Sequence, residues 1–178
     1  MTPFIRSDRG PLITTDTHPS LGGNVNGPTL LRVPDWLPNP LGRYYLYFAH
    51  HQGAFIRLAY ADDVEGPYTL HEPGVLHIDD CPFRGHIASP DVHFDEARGR
   101  VWMHYHGCGY SGSGANPYGQ ATCYAESADG LNFSSDDLCV GPSYLRTFRR
   151  AGWHYGFAGG PGRRWYRARS PRDPFEEG

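Results

Sequence analysis

Apolar and polar residues alternate along most of the chain with the period of two that is typical of β-strands. In the run GRYYLYFAH, residues 42–50, this period places Leu46 and Phe48 on one face and Tyr45 and Tyr47 on the other. Both faces are apolar, as expected for a sheet that packs between two neighbouring sheets. No long segment combines a helical period with helix caps. The pattern therefore predicts an all-β protein.

The pattern also repeats. Three times a proline is followed by a short apolar run, a glycine-led aromatic run and a further strand, and the copies contain Pro28, Pro90 and Pro142. A repeat of about 50 residues with three or four short strands is typical of β-propeller blades. We therefore predict β-propeller blades in an incomplete five-bladed ring. The predicted units are an N-terminal extension or closing strand (1–25) and a partial propeller (26–178), divided into blade one (26–76), blade two (88–141) and a partial blade three (142–178).

Composition and charge exclude several classes of protein. Hydrophobic residues make up 39% of the chain and the formal net charge is -3, without any basic run, so neither disorder nor nucleic-acid binding is expected. No apolar stretch is long enough to span a membrane, and the N-terminus lacks the apolar core of a signal peptide, so we expect a cytoplasmic protein that makes no membrane contact. The four cysteines show no C-x-x-C spacing and are predicted to be free thiols.

Four runs give the chain a resemblance to a known family: NGPTLL, YYLYFAHHQG, IRLAYADDVEGPY and HIASPDVHFDE. Together they resemble the five-bladed β-propeller glycoside hydrolases of the family 43 kind, which include arabinanases and xylosidases. The resemblance implies a central funnel lined by the innermost strand of each blade. It also implies three carboxylates from the first three blades: a base that activates water, a residue that tunes pKa and positions the sugar, and a general acid.

Only one of these three carboxylates is present at the matching position. Where the family has Asp directly before the proline of blade one, this chain has Gly27, preceded by Asn26. Asp91 after Pro90 matches the Pro-Asp of blade two and is the candidate catalytic residue. The Glu-Gly-Pro of blade three is replaced by a run that begins with Val140. Hydrolysis is therefore doubtful.

Other polar and aromatic residues are candidates for the funnel wall. Imidazoles can hydrogen-bond sugar hydroxyls, and an aromatic ring in a proline-rich loop can stack on a sugar. The predicted saccharide-binding residues are Asn26, Trp36, His50, His51, His93 and His106. The sequence requires no cofactor, but the resemblance leaves open a divalent metal ion on the propeller axis.

At 178 residues the chain is short for a five-bladed ring, so the sequence is interpreted as truncated to about three blades. A homo-oligomer could cover the open blade edges. The first hypothesis for function is a glycoside hydrolase-like protein that binds a saccharide in a propeller funnel. The alternatives are a non-catalytic sugar-binding or scaffold propeller, and an inactive fragment of a larger glycosidase.

Overall fold

The computed structural model of the chain describes residue 8 and residues 10–50, 52–159 and 164–178. Twelve strands within these ranges form three antiparallel sheets of four strands each, and in every sheet the strands lie side by side in sequence order. Three short 3-10 turns accompany them, at Thr15–Thr17, Pro19–Leu21 and Ile78–Asp80. No helix in the described part of the chain is long and apolar enough to cross a membrane.

The three sheets follow one another along the chain. The first sheet contains β1 (Asn26–Arg32), β2 (Tyr44–Ala49), β3 (Phe55–Ala61) and β4 (Thr69–His77). The second contains β5 (His86–Asp95), β6 (Arg100–Cys108), β7 (Ala121–Ser127) and β8 (Ser134–Pro142). The third contains β9 (Arg146–Arg150), β10 (Trp153–Ala158), β11 (Arg164–Ala168) and β12 (Glu176–Glu177). Sequential four-stranded antiparallel sheets of this kind are propeller blades.

Apolar side chains pack between consecutive sheets. Tyr45 and Tyr47 of the first sheet belong to one buried cluster with Val92 and Met103 of the second. On the other side of the second sheet, a separate cluster joins Trp102 and Tyr124 to Leu145, Tyr166 and Phe175. The second sheet is therefore buried on both faces, which is why its strands are apolar at almost every position.

The N-terminal segment covers the outer face of the first sheet. Leu21 packs with Leu46 and Phe48, and the partly buried Ile13 and Val25 contact the same cluster. None of the described residues before Asn26 forms a strand. The four cysteines are free, as predicted from their spacing.

The innermost strands β1 and β5 begin with the same irregularity. Gly27 and Ser89 both have positive φ, each precedes a proline, and each lies where the ladder to the next strand shifts register. A Cβ on Gly27 would lie only 2.7 Å from Cα of Ser89, so the first two sheets approach too closely here for any residue except glycine.

The third innermost strand begins later than its proline indicates. Pro142 is the last residue of β8 and pairs with Ala121. Ser143 follows Pro142 as Thr29 and Asp91 follow the prolines of the first two copies, but it does not occupy the equivalent place in the third sheet. Tyr144 is the residue with positive φ in this segment. Arg146 follows two residues later and pairs with the neighbouring strand β10, as Asp91 pairs with its neighbouring strand β6. The equivalent positions are therefore Thr29, Asp91 and Arg146.

Candidate functional site

Equivalent positions of the three innermost strands, each two residues after a residue with positive φ, meet around the carboxylate of Asp91. This residue lies in β5 and is only 8% exposed. Its Oδ2 accepts hydrogen bonds from the backbone N–H of Thr147, at 2.8 Å, and from the Thr147 hydroxyl, at 2.9 Å. The Nε2 atom of His93, two residues further along the same face of β5, lies 3.0 Å from the same oxygen.

These contacts keep Asp91 ionised. Burial alone raises the pKa of its carboxyl group, but the hydrogen bond and charge of His93 and the N–H of Thr147 favour the carboxylate more strongly. The net pKa is therefore below the ordinary value for aspartate. A carboxyl group in this state accepts hydrogen bonds but has no proton to donate to a leaving group.

Arg146 spans all three sheets at the same point. Its Nη1 donates to the carbonyl oxygen of Pro90 at 2.6 Å and to Thr29 Oγ1 at 3.3 Å. Its Nη2 donates to the carbonyl oxygen of Gly27 at 3.4 Å, and Nη1 lies 3.6 Å from Asp91 Oδ1. One guanidinium group therefore links the first, second and third sheets, and part of it remains exposed.

The residues at this centre do not fit an axial metal ion. Oxygen atoms of Gly27, Thr29 and Pro90, which a hard cation would need, already accept hydrogen bonds from Arg146, and a second cation would be repelled by its charge. Among the described residues, no group of three or more His, Cys, Asp and Glu side chains is arranged to hold a metal ion. No metal-dependent step is therefore assigned to this site.

The histidine closest to Asp91 on the neighbouring strand is His104, which the sequence pattern did not identify. It pairs with Asp91 across β5 and β6, is fully buried, and places Nε2 2.6 Å from the carbonyl oxygen of Pro171. Burial lowers the pKa of His104 to about 4, and the opposing effects of the Pro171 carbonyl and Asp91 do not offset it. His104 is therefore neutral at pH 7 and donates Nε2–H to Pro171.

The predicted wall residues are distributed unevenly around this centre. His93 contacts Asp91 directly, whereas Asn26 begins β1 and donates from Nδ2 to Asn24. His50 directly follows β2, and His106 is buried near the end of β6. His51 lies outside the described residues.

Trp36 does not lie with these residues. It belongs to the connection between β1 and β2, where its ring meets Phe94 edge-on at 5.9 Å and packs against the core shared by the first two sheets. Phe94 lies near the far end of β5 from Pro90. Trp36 is therefore partly buried against the core, and its stacking on a sugar stays a prediction.

Tyr144, two positions before Arg146, is an exposed aromatic residue that sequence reasoning missed. Its φ of 60° is rare for a residue other than glycine, asparagine or aspartate, and 41% of the residue is exposed. Its ring lies 4.2 Å from that of His106. The exposed part of this ring, two positions before Arg146 in the chain, can pack against the apolar face of a sugar.

Comparison with known proteins supports the fold. No protein-family model matches the chain. One relative by sequence is the uncharacterized protein R118 of Acanthamoeba polyphaga mimivirus, which is 33% identical in an alignment of 150 positions that covers 74% of this chain. The chain covers 41% of that relative's length.

Solved structures of glycoside hydrolases have the same fold. The GH43_1 enzyme from Xanthomonas citri, complexed with xylose, superposes with a TM-score of 0.67 at 15% identity over 97% of this chain. The α-L-arabinofuranosidase CtGH43 from Clostridium thermocellum (TM-score 0.61, 16% identity, 88% of this chain) and the family 117 glycoside hydrolase Zg3597 from Zobellia galactanivorans (0.61, 19%, 87%) are similar. This chain spans 59%, 51% and 46% of their respective lengths.

The chain therefore has the fold of a family 43-like β-propeller, and the all-β propeller class predicted from the sequence is confirmed. At identities of 15–19% these structures establish the fold alone.

Proposed function

We propose that this protein binds a saccharide at the centre of its three sheets without hydrolysing it. The fold is that of carbohydrate-active propellers, and the X. citri enzyme with this fold was solved with xylose. The main supporting observation is the set of residues at the three equivalent strand positions, which are Thr29, Asp91 and Arg146. A hydroxyl, a carboxylate and a guanidinium group suit the hydrogen bonds of a polyol.

The packing around the positions of the family's base and acid argues against hydrolysis. Glycoside hydrolysis ordinarily needs two carboxyl groups on opposite sides of the scissile bond. Gly27 stands where the family has its base, and no side chain fits there beside Ser89. Val140, in place of the family's acid, is buried in the apolar cluster between the second and third sheets. Asp91 is left without a second carboxylate at the matching family positions.

Asp91 and Arg146 keep capacity for a ligand. The Oδ1 atom of Asp91 is 3.6 Å from Arg146, which is longer than an ordinary hydrogen bond, so Oδ1 can accept from a sugar hydroxyl. Arg146 has five N–H donors, and its exposed portion can donate to ring or hydroxyl oxygens. Tyr144 supplies the flat apolar surface against which a sugar ring packs.

Calorimetry with short xylo- and arabino-oligosaccharides tests this proposal. We expect binding by the wild-type protein, no release of the aryl group from a panel of aryl glycosides, and binding weakened by about tenfold in Tyr144→Ala because the stacking surface is lost. Tyr118→Ala is the matched control, since Tyr118 has similar exposure, 40%, on another loop. Absence of binding by a correctly folded protein would contradict the proposal, and turnover abolished by Asp91→Asn would contradict its non-hydrolytic part.

We further propose that the third sheet mediates self-association. Its inner face packs against the second sheet, whereas Phe148 and Trp165 on its outer face are 46% and 53% exposed. Their rings contact Tyr155 and Phe157, which gives a continuous aromatic surface. Exposed aromatic surfaces of this kind mark association sites, and a second copy of the chain can cover it.

Light scattering after size-exclusion chromatography tests this assembly. We expect wild-type protein to elute as a dimer or larger species and Trp165→Glu to elute as a monomer, because a buried carboxylate disfavours the contact. Leu138→Glu, which adds the same charge on exposed β8, is expected to leave the mass unchanged. A monomeric wild-type protein at high concentration would rule the assembly out.

A further inference from the structure

A second polar groove lies between the second and third sheets and includes His93, the neighbour of Asp91, in its wall. It has a volume of about 790 Å³. Residues 93–98 form one wall, at the far end of β5 and in the turn after it, and Phe148 and Arg149 of β9 together with residues 169–172 after β11 form the other. The groove therefore opens at the end of the strands that carries the β5–β6 turn.

Arginine and carboxylate side chains line this groove together, but not all of its arginines are neutralised within the protein. Arg98 pairs with Glu126 at 2.7 Å, and Arg172 donates to Asp136 at 2.8 Å. Arg149 and Arg169 have no carboxylate within 4.0 Å in the described part of the chain. These two guanidinium groups are therefore available to an anion from solution.

Aromatic rings hold the cationic wall in place. The guanidinium carbon of Arg169 lies 3.5 Å from the centroid of the Trp153 ring, a cation–π contact that fixes the plane of the side chain. Trp102 lines the groove with the His93 ring stacked on it at 4.1 Å. Trp102 itself is only 4% exposed beneath His93, so a ligand in the groove meets the N–H donors of the arginines and the partly exposed His93 ring.

The opposite wall restricts the kind of anion that fits. Asp95 and Glu96 line it, and their carboxylates repel a polyanion but accept hydrogen bonds from neutral hydroxyl groups. The groove therefore suits a molecule with one anionic group at one end and several hydroxyls at the other.

We propose that this groove binds an acidic saccharide, with its carboxylate on Arg149 and Arg169, its hydroxyls on Asp95 and Glu96, and its ring against the His93 imidazole that covers Trp102. The planar forks of two arginines match the two oxygens of a carboxylate. The groove shares His93 with the centre around Asp91, but the proposed contacts to the carboxylate and hydroxyls of the ligand do not involve Asp91, Arg146 or Tyr144.

An NMR titration followed through the indole N–H groups of the four tryptophans tests the proposal, with D-glucuronate as the probe and D-glucose as its neutral match. We expect glucuronate to shift the resonance of Trp102, glucose to leave it unchanged, and the affinity for glucuronate to fall as salt is added. Arg149→Gln is expected to weaken binding by tenfold or more, because one charge-assisted contact is lost.

Arg167→Gln is the matched control. Arg167 also stacks on Trp153, at 4.8 Å, but does not line the groove, so its replacement is expected to leave the affinity unchanged. Tyr144→Ala is expected to have no effect either, which separates this site from the one around Asp91. The proposal is overturned if folded wild-type protein shows no shift with glucuronate, if glucose binds equally well, or if Arg149→Gln and Arg167→Gln behave alike. Equal affinity for inorganic phosphate would reduce the groove to a general anion site and overturn the saccharide assignment.

Discussion

Replacement of Asp91 by alanine is expected to lower the free energy of unfolding by about 3 kcal/mol, as measured by urea denaturation at pH 7. The substitution leaves the buried N–H and hydroxyl of Thr147 without their acceptor, and it removes the carboxylate that lies 3.6 Å from Arg146. Unsatisfied buried donors carry their full desolvation cost. Because Asp91 and Thr147 belong to different sheets, the loss also weakens the contact between the second and third blades.

Two further variants separate the charge from the hydrogen bonds. Asp91→Asn retains an oxygen that can accept from the Thr147 N–H, so we expect a smaller loss, about 1 to 2 kcal/mol. Asp62→Ala, on the exposed turn after β3, is the control and is expected to change stability by less than about 0.5 kcal/mol. If Asp91→Ala were no less stable than Asp62→Ala, the carboxylate would have no role in holding the sheets together.

Asp91 and its contacts show how far the sequence could predict the site. The Pro-Asp pair identified the residue, because the repeat placed it at the start of an innermost strand. Its principal partner could not be found in this way, since Thr147 is 56 positions away in sequence and belongs to no motif. Contacts between blades depend on how sheets stack, and the strand period carries no information about stacking.

The error at the third blade has a definite local cause. The repeat predicted that each proline lies in an innermost strand, and Pro28 and Pro90 do lie within β1 and β5. At Pro142 the chain continues the outer strand of the second sheet, and a left-handed residue, Tyr144, then makes the turn. A positive φ at tyrosine has no sequence signature, whereas one at glycine often does. The shift brings Arg146, instead of Ser143, to the centre.

Strand positions were easier to predict than side-chain environments. Alternation in YYLYFA fixed both the strand and its two buried faces, and the structure assigns one face to the second sheet and the other to the N-terminal segment. Trp36 shows the opposite case, because a proline-rich loop looks exposed in sequence whatever direction it takes. Its burial beside Phe94 follows from the path of the β1–β2 connection, which only tertiary packing determines.

The buried imidazole of His104 is expected to make the protein lose stability in mild acid. Its pKa is about 4 in the folded protein, compared with an ordinary value of 6.5. Below pH 6.5 the unfolded chain therefore binds a proton that the folded protein does not, so the free energy of unfolding decreases as the pH falls towards 4. A pKa difference of this size corresponds to about 3 kcal/mol. His154, whose pKa is also lowered by burial, acts in the same direction, whereas the lowered pKa of Asp91 matters only in stronger acid.

Urea denaturation at several values between about pH 7.5 and pH 4 measures this loss, and His104→Gln identifies its source. Glutamine does not titrate, and its amide can still donate to the Pro171 carbonyl that His104 now contacts at 2.6 Å. We therefore expect His104→Gln to be somewhat less stable than wild type at pH 7 but to lose much less stability on acidification. His71→Gln, on β4 of the first sheet, is expected to retain the full wild-type dependence. A neutral, fully buried His104 gains its proton in mild acid only on unfolding, so its replacement has to reduce the acid sensitivity. If His104→Gln kept the wild-type pH dependence, the acid sensitivity would come from other groups.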